Sequence, residues 1–259
     1  MFTDTHCHIY DEYYEEGIDS VYEKMKDANI TRVINNGCDG KSNKEVIELL
    51  GKYDWMYGTL GIHPESADTY TEEDLKYVEE HINDPKVVAI GEIGLDYYWT
   101  KDNKDKQKEL FEYQLKLAEK VNKPVVIHSR EATQDTINIL GKYNVTGVIH
   151  SFSGSYETAC IYIKKGFLIG INGVITFKNC NLKDVVEKLD LGNIVLETDS
   201  PYLTPVPYRG KRNDPTHVWE IAEYVATPVA YTSTEKYKIL NQQNPHLEEL
   251  RQRMNLQVE

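Results

Sequence analysis

Two hydrophobic rhythms alternate along this chain. Short continuous apolar runs such as Val87-Val88-Ala89-Ile90, Pro124-Val125-Val126-Ile127 and Ile194-Val195-Leu196 read as strands buried on both faces, the pattern of a parallel sheet. Between them apolar residues recur at three- and four-residue spacing, as on one face of a helix. Eight strands are predicted: residues 2–8, 31–35, 56–61, 87–90, 124–127, 147–149, 167–171 and 194–196. Helices are predicted through Ile18, Val21, Tyr22, Met25 and Ala28, then over 41–53, 72–82, 104–121, 132–143, 156–165 and 182–189, the last with Asn181 as its cap. Two more, 216–225 and 233–243, precede a polar tail. Eight β/α repeats with no linker predict an α/β fold of the TIM (β/α)8 barrel type, a single domain over 1–259, with the site at the C-terminal strand ends. An open doubly wound sheet is disfavoured because no glycine-rich phosphate loop follows the first strand.

The strand ends carry the chemistry. Phe2-Thr3-Asp4-Thr5-His6-Cys7-His8 ends in two histidines of the same strand parity, so both imidazoles face one way. The other ends carry His63, Glu92, His128, His150 and Asp199, so five of the eight histidines stand at strand ends or just past them. His81, His217 and His246 lie on helix ends or in the tail and read as solvent or dipole partners. Any one strand-end histidine is ordinarily a satisfied core residue, but several converging on one rim would bury polar rings without purpose. Four histidines and two carboxylates exceed one tetrahedral metal and suit two metals sharing a group. Glu92, flanked by Gly91 and Gly94, is placed to span both. Hydrolysis is the expected reaction, with Asp199 as both ligand and acceptor of the water proton.

Composition narrows the partners. The net charge of -13 argues against broad adhesion to nucleic acid, though bound cations would add local positive charge. No apolar run approaches the ~20 residues of a membrane helix. The N-terminus lacks a signal peptide's basic and apolar regions, so a cytoplasmic globular protein is expected. The four cysteines are scattered, with no C-x-x-C, and read as small buried hydrophobes. Tyrosine outnumbers phenylalanine by 19 to 5, a bias without a physical account in the sequence.

Over nearly its whole length the chain resembles the TatD-type deoxyribonucleases, a branch of the amidohydrolase-like metal-dependent hydrolases. The resemblance rests on Asp4-Thr5-His6-Cys7-His8, Gly61-Ile62-His63-Pro64, Gly91-Glu92-Ile93-Gly94-Leu95-Asp96, His128-Ser129-Arg130, His150-Ser151-Phe152-Ser153-Gly154 and Glu197-Thr198-Asp199-Ser200-Pro201-Tyr202-Leu203. It implies His6, His8, Glu92 and Asp199 around one metal and Glu92, His128 and His150 around the other. It implies two divalent ions, Mg2+ or Mn2+, with Zn2+ able to compete at so histidine-rich a site. The activity implied is 3′–5′ exonucleolytic cleavage of DNA, with single-stranded or 3′-terminal DNA as partner, no membrane and no obligate protein partner. The chain end departs from the family pattern, since Asn244 is followed by Pro245-His246-Leu247.

Outside the metal ligands, a phosphodiesterase needs cations. Arg130 follows His128 closely, and Tyr208-Arg209-Gly210-Lys211-Arg212 lies on the loop after Asp199. Phosphate contact is expected first from Arg209, then Arg130, with Lys211 and Arg212 behind; the plain alternative is a solvated basic run. His63 is expected to orient a phosphate or leaving group, or else to hold its loop. Tyr97, Tyr98 and Trp99 either stack on an unpaired base or pack on the barrel rim. A barrel hydrolase of a small phosphoester, lactone or amide is the competing function, and a non-enzymatic barrel with a structural metal the third.

Overall fold

The computed structural model describes residues 2–99 and 101–226. Eight parallel strands run in chain order: β1 (Phe2–Cys7), β2 (Ile30–Asn36), β3 (Met56–Leu60), β4 (Val87–Asp96), β5 (Val125–Arg130), β6 (Gly147–Ile149), β7 (Phe167–Ile171) and β8 (Ile194–Leu196). Each pairs with the next in sequence, which requires a crossover helix between every pair. Those helices are α1 (Ile18–Asp27), α2 (Gly40–Lys52), α3 (Glu72–His81), α4 (Lys104–Val121), α5 (Thr133–Leu140), α6 (Tyr156–Lys164) and α7 (Leu182–Val186), with α8 (Val218–Ala226) following β8. The protein is a TIM barrel.

Closure runs through the rim. Cys7 bridges Ser200 in parallel register, the Asp199 N–H donates to the His6 carbonyl at 2.9 Å, and the His8 N–H donates to the Ser200 carbonyl at 2.7 Å. Below them buried Asp4 accepts from the Thr198 N–H at 2.9 Å and its hydroxyl at 2.5 Å, while the Thr5 hydroxyl donates to the Leu196 carbonyl at 2.9 Å. First and last strands are therefore joined by the residues that carry the site.

Helix faces bury what their spacing predicts: Ile18, Val21 and Met25 on α1, and Phe111, Leu115 and Ala118 on α4. Each large aliphatic or aromatic side chain removed from water contributes about 1.5–3 kcal/mol. Reciprocal caps start two of the helices, Asp39 with Ser42 on α2 and Thr71 with Asp74 on α3.

Several boundaries differ from the sequence reading, β5 among them, which runs on to Arg130. β4 runs on past Glu92 to Asp96 with every residue buried. It can do so because Gly94 sits at φ 144°, where a Cβ would fall on the His128 carbonyl of β5. α5 is shorter than 132–143, and α7 ends at Val186 with no capping bond from the Asn181 side chain. Before α8, residues 215–217 form a tight turn capped by Asp214, so the helix starts two residues later than expected. The predicted helix 233–243, Asn244 and His246 lie outside the described residues.

Candidate metal centre

β1 delivers His6 and His8 to the rim with both rings converging, their Nε2 atoms 3.2 Å apart. The His8 ring donates from Nδ1 to the Asn36 carbonyl at 3.0 Å, which turns Nε2 toward the site; burial opposes a charge on this ring, but Cys38 and Asp199 hold it well above the ordinary imidazole range. His6 is fully buried and its Nδ1 has no hydrogen-bond partner among the described residues. His150, just after β6, stacks on His6 with ring centroids 3.5 Å apart, and its Nδ1 stands 3.1 Å from the buried Glu197 carboxylate. That contact leaves the His150 Nε2 aimed at Asp199 Oδ1, 3.6 Å away.

Glu92 lies between two groups of side chains. Its Oε2 is 3.4 Å from His6 Nε2 and 3.9 Å from His8 Nε2. Its Oε1 is 2.9 Å from His128 Nδ1, 3.6 Å from His63 Nε2 and 3.9 Å from His150 Nε2. Burial would raise this carboxyl, but the surrounding His150, His63, His6 and His128 hold it well below the usual carboxylate range. Asp199 completes the set 3.4 Å from His8 Nε2 and 3.7 Å from His6 Nε2. Its backbone takes a left-handed φ of 57°, a conformation that costs a non-glycine residue roughly 1–2 kcal/mol and turns its carboxylate into the cleft. Burial works against its charge too, yet His150 and His8 keep it below its ordinary value.

His128 is held between two carboxylates, Nδ1 to Glu92 and Nε2 to Asp96, both at 2.9 Å. Burial opposes a charged ring, but the bonds to Asp96 and Glu92 outweigh it and push the group up to about 9. His150 is also raised to about 9, where the charges of Glu197, Glu92 and Asp199 overcome burial. His63 behaves oppositely, pushed down to about 3 by burial and by the charge of His128. Its Nδ1 accepts from the Glu65 N–H at 3.3 Å, so the neutral ring carries its proton on Nε2 and faces the cleft as a donor.

Among the described residues, three sets of side chains have ligand atoms mutually within 4.8 Å: His6 with His150 and Asp199; His6 with His8 and Glu92; and His63 with Glu92 and His128. All six expected ligands thus meet. His150 groups with His6 and Asp199 rather than with His128, and His63 takes the place expected for it. The donors fit a divalent ion: imidazole and carboxylate atoms converge on shared space, His6 Nδ1 and Glu197 Oε2 lack partners, and Glu197 backs His150 as an outer-shell carboxylate backs a metal ligand. The sequence reading passed over Asp96, Glu197 and Cys38. The Cys38 thiol lies 3.7 Å from Glu92 Oε2, and burial lifts it to about 11. His81 bonds Tyr77 and His217 bonds Asn213, so neither joins the site.

This cluster of histidines and carboxylates opens into a cleft of about 820 Å³. Arg130 and Trp99 line it; Arg130 lies 3.9 Å over the Tyr98 ring and 5.4 Å from that of Trp99. Arg209 and Lys211 are not among the lining residues. Arg209 stacks on Phe177 at 3.8 Å and donates to the Thr204 carbonyl, and Lys211 stands 5.9 Å from the Tyr208 ring. Arg212 turns away, to the Tyr13 carbonyl and Glu16. Tyr97 is buried and donates to Asp135, so of the three aromatics after β4 only Trp99 faces the cleft. Lys41 also lines it, paired with Glu12 at 2.7 Å.

A model of the TatD related DNase family matches residues 3–246. The uncharacterized metal-dependent hydrolase YabD of Bacillus subtilis (strain 168) is 42% identical over 230 residues, covering 87% of this chain and 90% of its own length. The uncharacterized metal-dependent hydrolase YcfH of Escherichia coli (strain K12) is 37% identical over 234 residues, 87% of each. Among solved structures, that of the TatD homolog YJJV from Escherichia coli K12 superposes with a TM-score of 0.88 at 27% identity, covering 98% of this chain and 97% of its own. A TatD family hydrolase from Entamoeba histolytica shares the fold with a TM-score of 0.81 at 23% identity, over 96% and 97%. With its ligand set assembled on the rim of the same barrel, this chain belongs to the TatD-related DNase family of metal-dependent hydrolases.

Proposed function

We propose that this hydrolase is a deoxyribonuclease that shortens DNA from 3′ ends using two divalent ions, Mg2+ or Mn2+ by preference. The observation that carries the reading is Glu92: one oxygen faces His6 and His8, the other faces His128, His63 and His150. A single carboxylate shared in this way suits a pair of ions. His6, His8, Glu92, Asp199, His128 and His150 would hold them. Bound there, such a pair activates water and stabilises the attacking and leaving oxygens of a phosphodiester.

The chain's own groups supply the rest. Asp199, kept ionised by its histidine neighbours, accepts the proton of the attacking water. Neutral His63 presents its Nε2 proton to a phosphate oxygen or the leaving group. Arg130 contacts the phosphate and Trp99 offers a face to a base. Arg209 and Lys211 serve a substrate long enough to extend beyond the cleft.

Among the described residues, six carboxylates line the cleft (Glu12, Asp39, Glu45, Glu65, Glu92 and Asp199) against one lysine and one arginine, Lys41 and Arg130. That balance favours a second reading, a small ester as substrate, and gives the ions a part in attracting any phosphate. The experiment is hydrolysis of a 3′-labelled single-stranded oligonucleotide after chelation and after restoring Mg2+, Mn2+ or Zn2+, with Glu92→Ala as control. Stepwise metal-dependent shortening that the control lacks supports the deoxyribonuclease. No cleavage by a protein that still takes up two ions moves the reading to the small ester.

A further inference from the structure

The cleft has a second aromatic wall that the hydrolytic groups do not use. Tyr202 lies three residues after Asp199, and its N–H donates to the Asp199 carbonyl at 2.8 Å. Its side chain is 50% exposed, lines the cleft, and stands with its ring centroid 6.2 Å from that of His8. Tyr13 is beside it, centroids 6.0 Å apart at 69°, and the Tyr202 hydroxyl donates to the Tyr13 hydroxyl at 3.1 Å. The Tyr13 segment is pinned from behind, since Arg212 Nη1 donates to the Tyr13 carbonyl at 2.8 Å and the guanidinium lies 4.7 Å over the Tyr14 ring.

A ring so exposed contributes little to the core, so packing does not explain its place. It adjoins Asp199 at the mouth of a cleft otherwise lined largely by charged groups. Tyrosine loses little rotamer freedom on binding, and the hydroxyl pair already fixes this one. A sequence-tolerant partner for such a face is a nucleobase.

We propose that Tyr202, braced by Tyr13, is the stacking platform for the nucleobase next to the scissile phosphodiester, and that it makes a planar base a requirement for efficient cleavage. Arg212 is a positioning residue that holds the Tyr13 segment. The inference rests on the deoxyribonuclease reading above.

The test compares two single-stranded oligonucleotides of identical backbone, one with ordinary bases and one with tetrahydrofuran abasic residues at its two 3′-terminal positions. Wild type, Tyr202→Leu and Tyr202→Phe are assayed on both with saturating Mn2+, with circular dichroism confirming the fold. Wild type is expected to prefer the base-bearing substrate about tenfold in kcat/KM, the effect residing in KM. Tyr202→Leu should abolish that preference and leave cleavage of the abasic substrate unchanged; Tyr202→Phe should keep it. A Tyr202→Leu variant that retains the preference, or loses both activities equally, overturns the platform while the nuclease stands. Wild type that cuts neither substrate overturns the nuclease reading and the platform with it.

Discussion

Loading the metal centre should expel protons, and the number follows from His8, His128 and His150. An imidazole bonded to carboxylates through both nitrogens, as His128 is to Glu92 and Asp96 at 2.9 Å, must be an imidazolium. His128 and His150 are both raised to about 9, and His8 is held well above its ordinary value, so all three carry the extra proton at pH 7. A metal ligand has to be neutral imidazole. At pH 7 each proton displaced from His128 or His150 therefore costs about 2.7 kcal/mol, two pH units at roughly 1.36 kcal/mol each. Those two alone place the apparent affinity roughly 10⁴-fold below its value at high pH. With His8 as the third, affinity should climb about a thousandfold per unit from pH 7 and flatten as the rings lose their protons. Titration calorimetry with Mn2+ in buffers of different ionisation enthalpy measures the protons directly. About three per chain are expected at pH 7, from His8, His128 and His150, and fewer at pH 9. Asp96→Asn should lower the count at pH 7, because His128 then returns toward its ordinary value. Uptake of metal at pH 7 with no proton release would refute this charge assignment.

Three further outcomes follow from the site. Asp199→Asn should cut turnover by at least ~10²-fold, the low end of a lost general base, while metal content by elemental analysis falls far less; near-normal turnover rules out the base assignment. Arg130→Ala should weaken binding of a short single strand to the metal-loaded protein and flatten its dependence on salt by about one phosphate contact, and an unchanged salt slope removes Arg130 from the phosphate site. Gly170→Ala would set a Cβ 2.5 Å from the buried Glu197 Oε2. The overpacking should lower stability by roughly 1–3 kcal/mol in urea unfolding. Metal retention in dialysis should fall about 10–100-fold as His150 loses its support; a midpoint and retention like wild type would show that Glu197 has room to move.

The clustering of these histidines and carboxylates was legible because a barrel puts every strand end on one rim, so a list of residues at strand ends is already a list of neighbours. What stayed hidden were carboxylates whose meaning depends on a partner across the barrel. Glu197 shares strand parity with Asp199, a signal present in the sequence, but its contact with His150 depends on how β6 and β8 are juxtaposed. Asp96 was hidden by the length of β4, which continues through Gly94 only because β5 passes so close there. The basic loop after Asp199 shows the opposite limit. Its position was correct, yet spacing says nothing of side-chain direction, and Arg212 had Glu16 and the Tyr13 carbonyl within reach. Likewise the run from Tyr97 to Trp99 reads as one aromatic patch, whereas the Tyr97 hydroxyl finds Asp135 and only Trp99 lines the cleft.

The seam that closes the barrel also sets a clock. Asp4 and Thr198 are 194 residues apart in the chain, and the bonds between them lie beneath those that bring Asp199 to His6. At a synthesis rate of about 5–20 residues per second, His6 and His8 wait roughly 10–40 s for the strand that supplies their last ligand. Throughout that interval the nascent chain holds a paired-histidine motif able to capture a passing transition metal, but no Asp199. The group that joins His6 and His150 to Asp199 is therefore complete only once the last strand docks.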